Sequence, residues 1–139
     1  MPKLSWKGRS PVPATARVHV MASRFEVKSL SDVPRFFVRA LAAWAQLKTS
    51  RGAVEASLIA EPLQRTFWTL SAWESREAIY GYARTEPHRG IMGELRSTMR
   101  TSVFTFWEMP VSELPLDWDD ARARLDAQLR ADAENTDAA

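Results

Sequence analysis

A histidine that follows a proline and opens an apolar helical stripe is the first place in this sequence where chemistry could sit. Pro87 can begin a helix, because its missing N–H falls where a helix has no carbonyl to pair it with. His88 comes next, and Ile91, Met92, Leu95 and Met99 follow at three- and four-residue spacing. That spacing puts the imidazole on the apolar face. With a reference pKa of about 6.5, a histidine there could serve as a general base or a ligand. The plain alternative is a helix-start histidine bonded to backbone or solvent. Tyr82 lies three and four residues beyond Ile79 and Ala78, so it also faces inward. It could donate a hydrogen bond to a substrate carbonyl, or simply be a core tyrosine. Tyr80 is expected to face solvent.

Around this pair stand side chains suited to a wall. Trp68, Trp73, Trp107 and Phe104 crowd the central strands, and Met92 lies one turn beyond His88. Aromatic walls suit a flat aromatic ligand, although core packing uses the same residues. His19, Ser23, Thr69, Ser71 and Thr105 are polar strand residues that could line the same space. The expected substrate-binding set is therefore Trp73, Trp68, Ser71, Thr69, Met92, Trp107 and His19, with His88 and Tyr82 as the catalytic pair. Arg24 and Arg89 could bind a carboxylate or be ordinary surface charges.

Other chemistries are excluded or disfavoured. There is no cysteine, so disulfides, thiol catalysis and cysteine metal sites are out. With His19 and His88 the only histidines, a multi-histidine zinc site within one subunit is not expected. The five glycines are scattered, with no phosphate-cradling loop and no Gly-x-Ser-x-Gly elbow. A net charge of +2 argues against a dedicated nucleic-acid binder. No apolar stretch approaches the ~20 residues of a membrane span. The N-terminal residues are polar and lack an apolar signal core, which with the absent cysteines fits a cytoplasmic protein. The fifteen Arg against four Lys hint at a GC-rich bacterial genome. Residues 1–28 carry six Lys/Arg and one acid, whereas residues 113–139 carry eight Asp/Glu and three Arg. Head and tail could attract each other, or both could be solvated ends.

The elements that must position these residues are readable. Residues 1–15 hold Pro2, Gly8, Pro11 and Pro13 and are expected to form an irregular arm with Trp6 as an anchor. Residues 16–28 favour a strand. Ser31 or Asp32 can cap a helix in which Val33, Phe36, Phe37, Ala40, Leu41, Trp44 and Leu47 form an apolar stripe. Residues 53–61 and 65–73 make a hairpin across Pro62-Leu63-Gln64. Along the second of these, Phe67, Thr69, Ser71 and Trp73 point one way, and Trp68, Leu70 and Ala72 the other. Ser75 caps a helix over 76–85, a second segment runs from Pro87 to about Met99, and 101–109 is a last strand. The domain is expected over 16–110, a linker and C-terminal helix capped by Asp117 over 111–132, and a disordered tail over 133–139. The order is the split βαβ pattern: an α+β, ferredoxin-like βαββαβ fold with a four-stranded antiparallel sheet and an extra C-terminal helix. Helices cover one face of such a sheet. The other face, with its aromatics, is expected to be covered by a second copy of the chain, giving a homodimer.

Phe67-Trp68-Thr69-Leu70-Ser71-Ala72-Trp73-Glu74-Ser75, then Glu77-Ala78 and Thr85-Glu86-Pro87-His88, resemble the antibiotic-biosynthesis-monooxygenase superfamily of dimeric α/β barrels. Phe106-Trp107, a Pro-rich link and a short Trp/Ala/Leu helix are similar to its spheroidene-monooxygenase-like, poorly characterised branch. The resemblance implies a range of activities: cofactor-free oxygenases on aromatic polyketides, haem-degrading enzymes, decarboxylases, isomerases and proteins without known activity. The haem-degrading members use an Asn on the first strand, a Trp on the second helix and a His further along it. Here the only Asn is Asn135, Tyr82 stands where that Trp would be, and Met92 where the His would be, with His88 one turn earlier. That triad is not reproduced, which counts against haem degradation.

The function expected is that of a small-molecule enzyme, a cofactor-independent monooxygenase or relative, acting on an aromatic or polyketide-like ligand in an apolar pocket. His88 would take a substrate proton, Tyr82 or a strand hydroxyl would stabilise the anion, and oxygen would react with that anion directly. The alternatives are a non-catalytic dimeric ligand-binding protein of the same fold and a haem-binding protein with His88 as axial ligand.

Overall fold

The computed structural model describes residues 3–8, 13 and 16–138. In chain order the elements are β1 (Lys3–Lys7), β2 (Arg17–Val27), α1 (Val33–Thr49), β3 (Ala53–Glu61), β4 (Thr66–Trp73), α2 (Arg76–Arg84), α3 (His88–Leu95), β5 (Met99–Pro110) and α4 (Trp118–Ala138). The sheet is antiparallel with the order β1-β3-β4-β2-β5. Without β1, this is the ferredoxin-like arrangement read from the sequence.

Two boundaries differ from expectation. Within the arm expected over 1–15, the described residues include a fifth strand: Lys3 to Lys7 pair with Ile59 to Glu55. Gly8 N–H donates to the Val54 carbonyl at 2.7 Å, and Trp6 packs on the cluster of Leu47, Ala53, Ala56 and Trp73. The pairing partner lies some fifty residues away, so local pattern could not show it. At the other end α4 continues through Ala138 rather than stopping before Ala133. Ala131 and Ala133 are strong helix formers, and propensity carries the helix on without a buried face.

Local chemistry explains the helix starts. Ser75 Oγ accepts the N–H of Ala78 at 3.2 Å and caps α2. Asp117 Oδ1 accepts the N–H of Asp119 at 3.0 Å and caps α4. Neither Ser31 nor Asp32 caps α1 through its side chain; Ser29 Oγ instead accepts from Ser31 N–H and caps the 3-10 turn leading in. Gly52 turns the chain from α1 into β3 at φ +88°, and a Cβ there would stand 2.6 Å from Ala78 Cβ. The turn can therefore lie against α2 only with glycine.

Strand alternation divides the core between two faces. On one face α1, α2 and α3 cover Phe25, Phe67, Ala56 and Trp73, with Phe36, Leu47, Ile79 and Leu95 from the helices. On the other, α4 and its linker cover Val20, Ala22, Trp68, Leu70 and Val103, with Ala121 and Leu125 fully buried. Leu116 N–H bonds to Glu55 Oε2 at 2.6 Å and Trp118 Nε1 to Ser57 Oγ at 2.9 Å, fastening that helix to β3. The face that the sequence analysis leaves for a second copy is thus occupied by α4 of the same chain. Among the described residues no helix is long and apolar enough to cross a membrane.

Candidate active site

Between the sheet and α1–α3 lies a cavity of about 340 Å³. Its floor is the helix-facing side of β2, β4 and β5, where Met21, Ser23, Phe67, Thr69, Ser71 and Phe104 alternate with residues of the other face. Its roof includes Phe36, Trp44, Tyr82, His88, Ile91 and Met92. Most of this lining is apolar. The polar residues of the lining are Ser23, Ser57, Thr69 and Ser71 on the strands, Tyr80 and Tyr82, and His88.

His88 stands where α3 begins. Its ring is 4.5 Å from that of Tyr82, which in turn lies 5.3 Å from the buried indole of Trp73. The three rings form a column rising from the sheet to the cavity wall. His88 Nδ1 is 3.3 Å from the Ala83 carbonyl. A carbonyl only accepts, so Nδ1 carries the hydrogen and Nε2 keeps a lone pair. Burial holds the imidazole below its usual pKa, against a smaller upward pull from the Ala83 carbonyl. The ring is therefore a neutral base at physiological pH.

Tyr82 has a different part from the one expected of it. Its hydroxyl donates to the Ala43 carbonyl at 3.0 Å, and burial pushes its phenol up, keeping it neutral. A hydroxyl has one proton to give, so Tyr82 contributes its ring and not a hydrogen bond to a ligand. The donors lie on the strands. Ser71 Oγ accepts from Trp73 Nε1 at 2.8 Å and retains its own proton. Ser23 and Thr69 share one hydrogen bond, which leaves one of their two protons available.

Gln46 on α1, which the sequence does not single out, holds this arrangement together. Its Nε2 donates to the carbonyls of Tyr82 at 3.1 Å and Thr85 at 3.2 Å, and its Oε1 accepts the N–H of His88 at 2.6 Å. One side chain thus satisfies the end of α2 and the start of α3 and fixes the backbone that carries the imidazole.

The structure brings His88, Tyr82, Ser71, Thr69 and Met92 to one cavity, with Trp73 supporting it from beneath. Trp68 and Trp107 do not belong there. Both point to the α4 face, where Arg122 lies 4.5 Å over Trp68 and Arg124 4.5 Å over Trp107. Alternation decides this: Trp68 is one residue from Phe67 and Thr69 and so faces away from them. Arg24 also lies on that side, 5.3 Å over Trp68, and Arg89 is exposed. His19 lines a second cavity of about 340 Å³, together with Arg76, Ile79, Tyr80, Phe106 and Glu108; Trp107 borders it. There His19 Nε2 is 3.2 Å from Glu108 Oε1. On β5, Phe104 borders the inner cavity and Phe106 both spaces, and each is well exposed.

No family model matches the sequence, and no curated protein matches it. Solved structures do. SnoaB, a cofactor-independent oxygenase from Streptomyces nogalater, aligns in a variant form with a TM-score of 0.53 at 18% identity, over 71% of this chain and 98% of its own. An antibiotic biosynthesis monooxygenase aligns with a TM-score of 0.57 at 12% identity, over 70% of this chain and 99% of its own. A conserved protein from Methanosarcina mazei aligns with a TM-score of 0.58 at 14% identity, over 68% and 93%. At these identities the likeness is one of architecture, and it matches the expectation drawn from residues 67–109: this chain has the fold of the antibiotic-biosynthesis-monooxygenase-like proteins.

Proposed function

We propose that this chain is a cofactor-independent monooxygenase or related enzyme acting on an aromatic, polyketide-like compound held between the sheet and α1–α3. One observation carries the reading. A neutral imidazole, that of His88, lines an apolar cavity whose floor presents buried hydroxyl protons. The likeness in fold to a cofactor-independent oxygenase supports it.

The chemistry that suits these groups starts with a phenolic aromatic carrying an acidic CH₂. His88 Nε2 takes one proton from that carbon. The charge spreads to the phenolic or keto oxygen, where Ser71 and the Ser23/Thr69 pair donate hydrogen bonds. The electron-rich carbanion attacks dioxygen, forming a C–O bond. Loss of water then leaves a carbonyl. One oxygen atom enters the product and the other leaves as water, and the CH₂ carbon supplies all four electrons. Apolar walls keep bulk water from quenching the anion. Tyr82 sets the imidazole's orientation through ring contact.

His88→Ala should keep the fold and lower oxygen uptake with such substrates by about 10²–10⁴-fold. Uptake at the wild-type rate in that variant would overturn the assignment of the base. Tight binding with no oxygen uptake by the wild type would make the chain a ligand carrier instead.

A further inference from the structure

We propose that the ligand of this site is an aromatic acid, whose apolar body fills the inner cavity and whose carboxylate is held by Arg76 and Tyr80 in the second cavity beside it. This rests on the reading of the inner cavity as the binding site.

The two spaces are neighbours. Ile79, Tyr80 and Phe106 line both, so a single layer of side chains separates them. Tyr80 and Phe106 are 48% and 57% exposed, with room to turn aside. Charge is divided sharply between the two. The inner cavity has no Asp, Glu, Lys or Arg in its lining, whereas the second has Arg76 and Glu108 with His19. A ligand spanning both would be apolar at one end and polar at the other.

The charged end of such a ligand is an anion, because the Glu108 carboxylate is already held by the His19 ring while, among the described residues, the Arg76 guanidinium faces no carboxylate. Among the described residues Arg76 makes no ion pair; its Nη2 donates to Tyr80 Oη at 3.3 Å. Tyr80 accepts in that bond and keeps its own proton to donate. A guanidinium fork beside a phenolic O–H matches a planar carboxylate, which takes two parallel N–H bonds and a third from the side. Helix stability gives no reason for the residue. Arg76 is the first residue of α2, where the positive end of the helix dipole disfavours a cation.

The test uses the full chain and two probes that differ in charge and by one methyl group: 6-hydroxy-2-naphthoate and its methyl ester, titrated by quenching of tryptophan fluorescence. The wild type should bind the acid roughly 10–100-fold more tightly than the ester, the range of a charge-assisted hydrogen bond. Arg76→Gln should bring the acid down to the ester's affinity and leave the ester unchanged. Ala43→Phe, which fills the inner cavity, should weaken both. Equal affinities in the wild type, or an acid affinity untouched by Arg76→Gln, would overturn the anionic subsite and leave the inner cavity's role standing. Binding of neither probe, or binding of both unaffected by Ala43→Phe, would remove the inner cavity as the site, and this proposal with it.

Discussion

Trp68 and Trp73 lie on one strand, five residues apart, and do opposite work on opposite faces. Trp68 is flanked by two guanidinium groups, donates its indole N–H to Glu61 and lies beneath α4. The core on that side is closed: Val20, Ala22, Ala72 and Ala121 show no exposed surface at all. Trp73 is equally buried, but what it supports is Tyr82 and His88 at the edge of an open volume. The difference comes from what covers each face. One long helix, with Ala121 and Leu125 at its contact, lies flush on the sheet. Three helices, with a break at Glu86-Pro87 in the last pair, cannot close over theirs, and the gap collects the polar groups.

Breaking the dry face should produce the largest change in stability. Trp68→Ala removes a buried aromatic and its hydrogen bond to Glu61, which keeps Arg122 at 3.8 Å, so it should cost about 3–5 kcal/mol in denaturant unfolding. The affinity of the inner cavity for an apolar ligand should be unaffected as long as the protein is folded. Adding volume sharpens the contrast. Ala72→Phe on the α4 face has nowhere to go and should cost ~1–3 kcal/mol or more. Ala43→Phe on the cavity side meets empty space and should change stability by less than about 1 kcal/mol while blocking the ligand. Equal penalties for the two phenylalanines would show that the cavity is closed in solution.

Most of this division is legible in the sequence, because period-two alternation assigns faces without knowledge of the partner. The opposed sets on β4 follow from it directly. Residue type groups Trp68 and Trp107 with Trp73 as an aromatic wall while parity forbids it, and parity is the stronger constraint. The parts that stay hidden depend on distant contacts. β1 is short, polar and preceded by proline, and only its pairing with β3 makes it a strand. The apolar side of α4, Trp118, Ala121, Leu125 and Leu129, is legible in the sequence, but the face that it covers is not; among the described residues of the helix only Ala121 and Leu125 are deeply buried. Gln46 looks like any polar residue on a helix; its function exists only because the ends of α2 and α3 lie 36 and 42 residues ahead of it in the chain and beside it in space.

Gln46 gives a smaller effect on the cavity side. Gln46→Leu keeps the volume and removes three hydrogen bonds; the Tyr82 and Thr85 carbonyls keep the N–H groups of Thr85 and Arg89, and the His88 N–H is left to find solvent. A loss of about 1–2 kcal/mol is expected, less than the full penalty because the Thr85 end is exposed. If Gln46 positions the imidazole, turnover should fall further than stability does, and the pH profile of the rate should shift because the ring's surroundings change. A fall in stability with an unaltered profile would make Gln46 structural alone.

The smallest effect separates the faces by their response to acid. Burial holds the His88 pKa below that of the unfolded chain. Between the folded value and the unfolded value of about 6.5, the unfolded state binds more protons than the native one. Stability therefore rises with pH across that window and falls as pH drops through it. The contribution is fully present above about pH 6.5 and is lost on acidification, the reverse of a histidine stabilised by an acidic partner. Unfolding midpoints measured from pH 7.5 to 5 should show wild-type stability declining, and His88→Gln, with no titrating ring, should decline less over the same range. The Trp68→Ala variant, although far less stable, should retain the wild-type slope, because its damage is on the face that holds no such group. Parallel slopes for wild type and His88→Gln would mean that the imidazole is as well hydrated in the folded protein as in the unfolded chain, and the neutral base in the cavity wall would be gone.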